Sequence, residues 1–510
     1  MKPSTWRRGL FGTLITIPLA LAAAPASKDT LRVVTNADPA HLDPNASDDQ
    51  QHFQVTRQIC ETLFVYNDKY EIAPWLCEKY ERPNPTTIIL HIRKGVKFHN
   101  GDTLKASDVL FTFQRIVKDK LDGLTEIQKV DIGQCKVLDD YTLKLVTKGP
   151  APTQIALLEG PDSAILSERA YKEANGNFLK GACVGTGPYQ LVSYTSGDQV
   201  VMKKFDGYWR KGEPHIANVI FRFITDTASR AIEAETGGAD IVYYIGPKDV
   251  AAVNSTKGVK VVSDLGANTV YLLLNTQLKP LDNLKVRQAI WTGLDYRAAV
   301  IAAYGKTFGA VASGWVCPGI KGYDADVMAK FVPKRDPQKA KQLLAEAGYP
   351  NGVQVHIAVP ASSQERRDMA EVFQAQLGEA GFDVKVDVLE DNNFSAQGFA
   401  GKFNMCIYGQ TASDFEADRS LVQFLPGTVG FKLCAFGNQK FVDSVNKAVL
   451  TMDDKARADL YKQAINTMME NCVSLPLWHK ALNAAVSDGV GGFKITRTYE
   501  HHYLQYVYFK

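Results

Sequence analysis

The chain has 510 residues, of which 45% are hydrophobic and 22% charged, and its formal net charge is +3 at pH 7. This composition is typical of a soluble globular protein with several units of about 100–200 residues each. Because the net charge is close to neutral and no block of Lys or Arg occurs, neither nucleic acid nor an anionic membrane surface is implied as a partner.

The first 26 residues predict a secretory signal peptide. Positive residues precede an apolar run over residues 10–21, and small-x-small cleavage sites end at Ala24 and Ala26. No later run approaches the roughly 18 apolar residues that a membrane span needs, and no cysteine near the cleavage site suggests a lipid anchor. We therefore expect a periplasmic protein released by cleavage of this segment.

The eight cysteines favour disulfides, because an even number in an oxidising compartment usually pairs. Proximity along the chain suggests the pairs Cys60–Cys77 and Cys135–Cys183, while buried free thiols remain an alternative. No two cysteines have C-x-x-C spacing, so neither a zinc knuckle nor a thioredoxin-like redox pair is predicted.

The first elements follow from residue patterns. Residues 30–35 and 87–93 are predicted strands, residues 36–51 a polar loop, and residues 54–64 a helix by their spacing. Asn100-Gly101 predicts a tight turn, because both residue types tolerate positive φ.

Further along, Ser107-Asp108 can cap a helix that begins at Val109. Residues 141–146 alternate as a strand, and residues 271–276 are apolar enough for a strand buried on both faces. Asp336 as N-cap, with proline in the first turn and Gly348 at the end, predicts a complete helix.

A glycine-rich motif, Gly185-Thr-Gly187-Pro188-Tyr189, lies near the middle of the chain. It lacks the third glycine and the following helix of a nucleotide-binding loop. Two glycines and a proline instead suit a tight crossing between two lobes.

Motifs spread over the chain resemble one family. They are the segment from Glu61 to Phe113 that begins ETLFVYNDKYEIAPWLCEKY, the GTGPY motif at Gly185, the turn from Tyr208 to Pro214, the VRQA helix at Val286, the helix after Asp336, and SLPLWH at Ser474–His479. This order resembles the solute-binding proteins of bacterial peptide and nickel ABC importers, extracellular solute-binding protein family 5.

The resemblance implies an α/β fold like that of type II periplasmic binding proteins (cluster C), with two α/β lobes joined by a hinge and an extra α+β domain. Lobe I would combine residues 27–66, 186–272 and 483–510. The extra domain would be residues 67–185, and lobe II residues 273–482.

The resemblance also implies a receptor, not an enzyme. A monomer would capture a small polar organic solute, first of all a short peptide, by hinge closure, and deliver it to an inner-membrane ABC permease. No cofactor or metal is expected, although Glu500-His501-His502 leaves a metal site open. The alternatives are an opine, an oligosaccharide or a nickel chelate as ligand, a secreted hydrolase, and a periplasmic chaperone or sensory partner.

Ligand-binding residues are predicted in three stretches and at one isolated tryptophan. These candidates are Asn45, Ser47 and Asp48; Arg366 and Arg367; Tyr408, Gly409, Gln410, Thr411, Asp414 and Asp418; and Trp315, with Leu158-Glu159-Gly160 as a weaker addition.

In dipeptide receptors of the family, an aspartate in the third stretch takes the ligand ammonium, a charge-assisted bond. Thr411 stands in its place, so Asp414 or Asp418 would take the ammonium, or the ligand lacks a free amine. An arginine in the second stretch would bind the carboxylate bidentately, and Arg367 aligns better than Arg366. A solvated acidic loop, surface ion pairs, and a Trp315 that only packs are the structural alternatives.

Overall fold

The structure, a computed structural model, describes residues 29–46, 49–304, 309–428, 430–498 and 502–510. The predicted signal peptide and the candidates Ser47 and Asp48 lie outside these ranges, as do Glu500 and His501. Within them, the predicted two-lobed α/β class with an extra domain is confirmed.

The strands are Thr30–Thr35 (β1), Phe64–Tyr66 (β2), Ile72–Pro74 (β3), Cys77–Asn84 (β4), Thr87–Ile92 (β5), Lys136–Asp139 (β6), Thr142–Val146 (β7), Tyr189–Thr195 (β8), Gln199–Lys204 (β9), Asn218–Phe223 (β10), Ile241–Tyr243 (β11), Val259–Leu274 (β12), Gly309–Val311 (β13), Val353–Pro360 (β14), Phe382–Leu389 (β15), Met405–Thr411 (β16), Ser474–Ser487 (β17), Val490–Gly491 (β18) and Tyr508–Phe509 (β19).

The α-helices are Gln50–Thr56 (α1), Ala106–Asp119 (α2), Leu124–Ile127 (α3), Gln154–Leu157 (α4), Glu168–Glu173 (α5), Thr227–Glu235 (α6), Val250–Ser255 (α7), Leu284–Gly293 (α8), Tyr296–Tyr304 (α9), Val327–Phe331 (α10), Pro337–Glu346 (α11), Gln364–Glu379 (α12), Asp391–Phe399 (α13), Ala417–Val422 (α14), Phe431–Cys434 (α15), Gln439–Ala448 (α16) and Asp454–Glu470 (α17).

One 11-stranded sheet runs through both lobes in the described part of the chain, in the order β15-β14-β16-β12-β17-β11-β1-β10-β9-β8, with β13 attached to β17. The long antiparallel strands β12 and β17 connect the two halves. Their register shifts between Leu265 and Thr269, so the two long strands are irregular there. Such irregularities bend a strand and re-aim its side chains.

The extra domain has its own four-stranded antiparallel sheet, β4-β5-β7-β6, covered by α2. Phe98 and Phe113 lie in its apolar core, which is separate from the lobe I core around Tyr189 and Tyr243 and from the large core centred on lobe II. Each unit therefore buries its own apolar side chains, the condition for units that move relative to one another.

Several local predictions are confirmed. The helix after Asp336 begins at Pro337, the Asp336 side chain accepts from the Lys339 amide at 2.9 Å, and Gly348 has φ +94°. The helix predicted to begin at Val109 is present but begins three residues earlier, at Ala106. Its N-cap is Lys105, and Asp108, predicted as part of the cap, lies in the first turn, where it accepts from the Lys105 amide.

The helix predicted over residues 54–64 is wrong in its position. It begins at Gln50, because the Asp49 side chain accepts from the Gln51 amide, and it ends at Thr56. The polar loop thus supplies the helix with its N-cap, a role that aspartate favours.

The predicted disulfides Cys60–Cys77 and Cys135–Cys183 are not formed, and all eight cysteines are free. The physical reason is that each predicted pair is divided between cores. Cys60 and Cys183 lie in the lobe I core, whereas Cys77 and Cys135 lie in or against the core of the extra domain.

The GTGPY motif marks a close backbone approach. The Gly187 amide donates to the Ile59 carbonyl at 2.9 Å, and a Cβ at Gly185 would lie 2.0 Å from the same oxygen. Next to it, the buried Glu61 carboxylate accepts from the side chains of Trp75, Thr186, Tyr208 and Trp209. Three of the motifs behind the family resemblance are thus joined at one carboxylate between lobe I and the extra domain.

Candidate functional site

Strand β16, the loop that follows it and the start of α14 carry half of the predicted ligand residues. In the antiparallel pair of β12 with β16, Asn268 lies opposite Thr411, Thr269 opposite Gln410, Val270 opposite Gly409, and Tyr271 opposite Tyr408. Opposed residues point to the same face and successive residues to opposite faces. The pairing therefore divides the candidates into two faces.

Tyr408 and Gln410 share the face that packs into lobe II. Trp315 lies on this face as well, is 1% exposed, and accepts from the Tyr271 hydroxyl through its carbonyl at 2.8 Å. Its ring lies 5.0 Å from that of Tyr271, so Trp315 packs in the core. Gln410 is 5% exposed, and neither amide atom has a hydrogen-bond partner within the described ranges.

The same inward face holds a cysteine–histidine pair. His479 Nδ1 lies 3.4 Å from Cys317 Sγ, and the Ser313 amide donates to His479 Nε2 at 3.1 Å. Nε2 is therefore the acceptor nitrogen and Nδ1 carries the proton, so Nδ1 cannot take a proton from the thiol. Burial lowers the pKa of His479 to about 4 and raises that of Cys317 to about 11, which fits core packing and not nucleophilic catalysis.

The opposite face forms a polar, basic patch, here called the lobe II patch, of Asn268, Arg366, Gly409, Thr411 and Lys480. Arg366 Nη1 donates to the Ile407 carbonyl at 3.4 Å, and its Nη2 lies 3.3 Å from where a Cβ would stand at Gly409. Asn268 Nδ2 donates to Thr411 Oγ1 at 2.9 Å. Because residue 409 is glycine, the Arg366 guanidinium packs directly against the backbone of β16.

Lys480 belongs to this patch by the register of β17. His479 lies opposite Thr269 on the inward face, so the next residue points to the patch face. The Lys480 side chain is exposed. Protein atoms around its ammonium nevertheless desolvate the charged form and so lower the pKa of Lys480. The nearby Glu365 carboxylate raises this pKa, and the Arg366 guanidinium lowers it further.

Arg367 and Asn45, from the other two predicted stretches, are placed less favourably for ligand contact than Arg366. Arg367, which aligns better with the family than Arg366, donates to Ala361 and Gln364 at the start of its own helix. Asn45 is fully buried: its amide donates to the carbonyls of Asp162 and Ala164, and its oxygen accepts from Arg115. It holds the loop after β1 against the extra domain.

The loop after β16 ends at an acidic cavity of about 40 Å³ between the extra domain, α1 and lobe II. Its wall includes Phe53, Glu126, Ala156, Glu159, Gly160, Pro161, Asp162, Ser413, Asp414 and Arg419. The weaker prediction at Glu159 and Gly160 therefore lies on this wall, together with Asp414.

Two aspartates of this loop are nearly enclosed. Asp414 is 7% and Asp418 5% exposed. Burial raises the pKa of Asp414 well above the usual aspartate value, Asp418 adds to the effect, and Arg419 opposes it. The Thr153 hydroxyl of the extra domain lies 3.5 Å from Asp418 Oδ2. A carboxyl in such surroundings is poised to receive a cation, which would favour its ionised form.

Two groups of charged contacts hold the loop after β16: one joins it to the extra domain, and the other joins it to lobe II. Arg419 Nη1 lies 2.8 Å from Glu126 Oε1, and the Glu126 side chain is 2% exposed. Glu416 is held by Arg457, with both nitrogen–oxygen distances at 3.0 Å, and by Lys321 at 2.7 Å. The contacts of Glu416 therefore hold the loop on lobe II, whereas the Arg419–Glu126 pair connects it to the extra domain.

A larger cavity of about 1010 Å³ lies on the other side of Tyr66. Aromatic rings form much of its wall, including Trp75, Phe493 and Tyr503, and the Tyr66 ring contacts Phe415 at 4.7 Å. Its size suits an organic ligand, but none of the predicted ligand residues lines it.

Within the described residues, neither a metal-binding group nor a membrane-spanning helix is found. No group of three or more His, Cys, Asp or Glu within the described ranges is placed to hold a metal ion. No helix in the described part is both long and apolar enough to cross a membrane.

Comparison with known proteins gives consistent matches. The model of the bacterial extracellular solute-binding proteins, family 5 (middle), matches residues 71–431. The chain is 28% identical to the dipeptide-binding protein of Escherichia coli (strain K12), over 99% of each chain. It is also 28% identical to the glutathione-binding protein GsiB of Shigella dysenteriae serotype 1, over 97% of each chain.

A solved structure extends the likeness to the fold. The PBP AgaA from A. tumefaciens R10, in complex with agropinic acid, superposes with a TM-score of 0.78 at 26% identity, covering 94% of this chain and 99% of that one.

Proposed function

Because the chain belongs to the bacterial extracellular solute-binding proteins, family 5, the binding components of ABC importers, we propose that it captures a short peptide or a related amino-acid conjugate and hands it to an inner-membrane permease. The predicted signal peptide supports a periplasmic location for this work. The relatives named for dipeptide and glutathione binding support the solute class.

The observation that carries the proposal is the charge distribution along one loop. The lobe II patch at the start of the loop presents Arg366 and Lys480, and the acidic cavity at its end presents Asp414, with the buried Asp418 next to it. Three extended residues span at most about 11 Å, so Thr411 and Asp414 cannot lie farther apart than this. A molecule of dipeptide size therefore has a cationic group for its carboxylate and a carboxyl group for its ammonium within reach.

Capture works by closure of the cleft. The contacts of Arg419 with Glu126 and of Thr153 with Asp418 join lobe II to the extra domain, so they exist only when the two are close. A solute that bridges the same surfaces adds its own contacts to the closed state. It shifts the open–closed equilibrium by no more than its differential affinity for the two states.

The experiment is calorimetric titration of protein freed of bound ligand by unfolding and refolding, with a panel of dipeptides, tripeptides and glutathione. We expect binding by members of the panel and a loss of binding in Asp414→Asn. The exposed aspartate of α16, changed in Asp443→Asn, serves as the matched control. The proposal fails if no member binds, or if Asp414→Asn and Asp443→Asn behave alike.

A third variant separates the two cavities. Ala73 lines the large aromatic cavity, so Ala73→Trp fills part of that space and leaves the lobe II patch and the acidic cavity unchanged. We expect unchanged solute affinity in this variant. Loss of binding would place the solute in the aromatic cavity instead.

A further inference from the structure

The lobe II patch holds two cationic side chains. Arg366 and Lys480 come from different elements, α12 and β17, and the guanidinium lowers the pKa of the lysine. Neither forms a salt bridge within the described ranges, although the Glu365 carboxylate lies close enough to Lys480 to raise its pKa. The other side chains of the patch, Asn268 and Thr411, are neutral.

The position of Lys480 is set by backbone geometry. Its carbonyl oxygen lies 2.7 Å from where a Cβ would stand at Gly266, two residues before Asn268 in the irregular segment between Leu265 and Thr269. On its other side, Lys480 lies opposite Gly309 of β13. Glycines thus flank the lysine backbone on both adjacent strands.

The third observation is the identity of residue 411. It is a threonine, and its hydroxyl accepts from Asn268. A neutral side chain beside two cations leaves the local electrostatic preference for anions. The wall around Thr411 is thus suited to a group of more than one negative charge.

We propose that the lobe II patch is a dianion site, in which Arg366 and Lys480 each take one carboxylate, and that Lys480 is a specificity-determining residue. The solute is then an amino-acid conjugate with two carboxylates at one end, such as a peptide ending in glutamate, a γ-glutamyl compound or an opine-like acid. This inference rests on the proposed function, since it names the solute class of the same site.

The test compares two probes of nearly identical shape, the dipeptides Ala-Glu and Ala-Gln, by calorimetric titration of the full protein. We expect Ala-Glu to bind about 10- to 100-fold more tightly than Ala-Gln, the factor that corresponds to one charge-assisted hydrogen bond. Lys480→Met removes that preference, and Lys480→Arg restores it. Lys260→Met, at an exposed lysine of β12, is the matched control and keeps the preference.

The outcomes separate this inference from the proposed function. If wild-type protein binds both dipeptides equally, or if Lys480→Met still prefers Ala-Glu, the dianion site is refuted while the peptide receptor stands. If neither dipeptide binds, these two probes speak against peptide binding, and the site is tested with glutarate and its monoamide, glutaramate. A larger thermal stabilisation by glutarate that Lys480→Met abolishes then supports the dianion site, and equal stabilisation refutes it.

Discussion

Removal of the Arg419 side chain tests whether the contact across the cleft holds the closed state. The Arg419→Ala variant leaves the Glu126 carboxylate, 2% exposed, without the guanidinium that lies 2.8 Å from it. Arg419 lies in the six-residue helix α14 and Glu126 in the four-residue helix α3, and neither side chain is part of the apolar core of its unit. The folds of lobe II and of the extra domain are therefore expected to survive the change.

The magnitude follows from burial. Breaking a buried ion pair by removing one partner costs about 3–5 kcal/mol. The Arg419 side chain is 35% exposed, so water screens part of the interaction and the cost is reduced to roughly 1.5–3 kcal/mol. Because the pair exists only in the closed state, the whole cost acts against closure, and solute affinity falls about 10- to 100-fold.

The assay is calorimetric titration together with small-angle X-ray scattering at saturating solute. We expect weaker binding and a larger radius of gyration in Arg419→Ala. The control is Arg335→Ala, which breaks an ion pair of 2.6 Å with Glu379 inside lobe II, where the glutamate side chain is 64% exposed. Its effect on affinity should stay within about threefold, as for an exposed pair.

An affinity of Arg419→Ala within threefold of wild type would refute the reasoning. It would mean that the ion pair contributes equally to the open and closed states, or that closure does not bring these surfaces together. The double variant with Glu126→Gln decides between the two through the coupling energy in the free energy of unfolding. A coupling energy near zero means that the pair does not form in solution.

The remaining predictions concern the loop, the junction and the arginines. Because burial raises the pKa of Asp414, folding loses free energy as pH rises from the usual aspartate pKa through that raised value. Asp414→Asn should therefore stabilise ligand-free protein by about 0.5–2 kcal/mol at pH 8 and by less at pH 4.5, as read from urea midpoints. Equal gains at both pH values would contradict this. Glu61→Ala strands four donors and should lower unfolding free energy by about 3 kcal/mol or more, whereas the exposed Glu71→Ala should change it by less than about 0.5 kcal/mol. Arg366→Ala should weaken solute binding about 10- to 100-fold and Arg367→Ala less than about threefold; the reverse order would favour the alignment over the structure.

The sequence by itself determined the local elements and the family. The helix after Asp336 was predictable because its cap, its first-turn proline and its terminal glycine act within a few residues of the backbone they satisfy. The same holds for β1 and β5, whose apolar spacing is a local property. It also predicted ligand residues in the loop after β16.

Only the tertiary structure decided which candidates face the cleft. Residue alternation separates Gly409 and Thr411 from Tyr408 and Gln410, but the face that meets the core depends on how β16 pairs with β12 and what packs on it. Lys480 and Glu126 were missed because they reach the site from β17 and from the extra domain, far away in the chain. The disulfides failed for the same physical reason: distance along a chain does not measure distance in space once separate cores have formed.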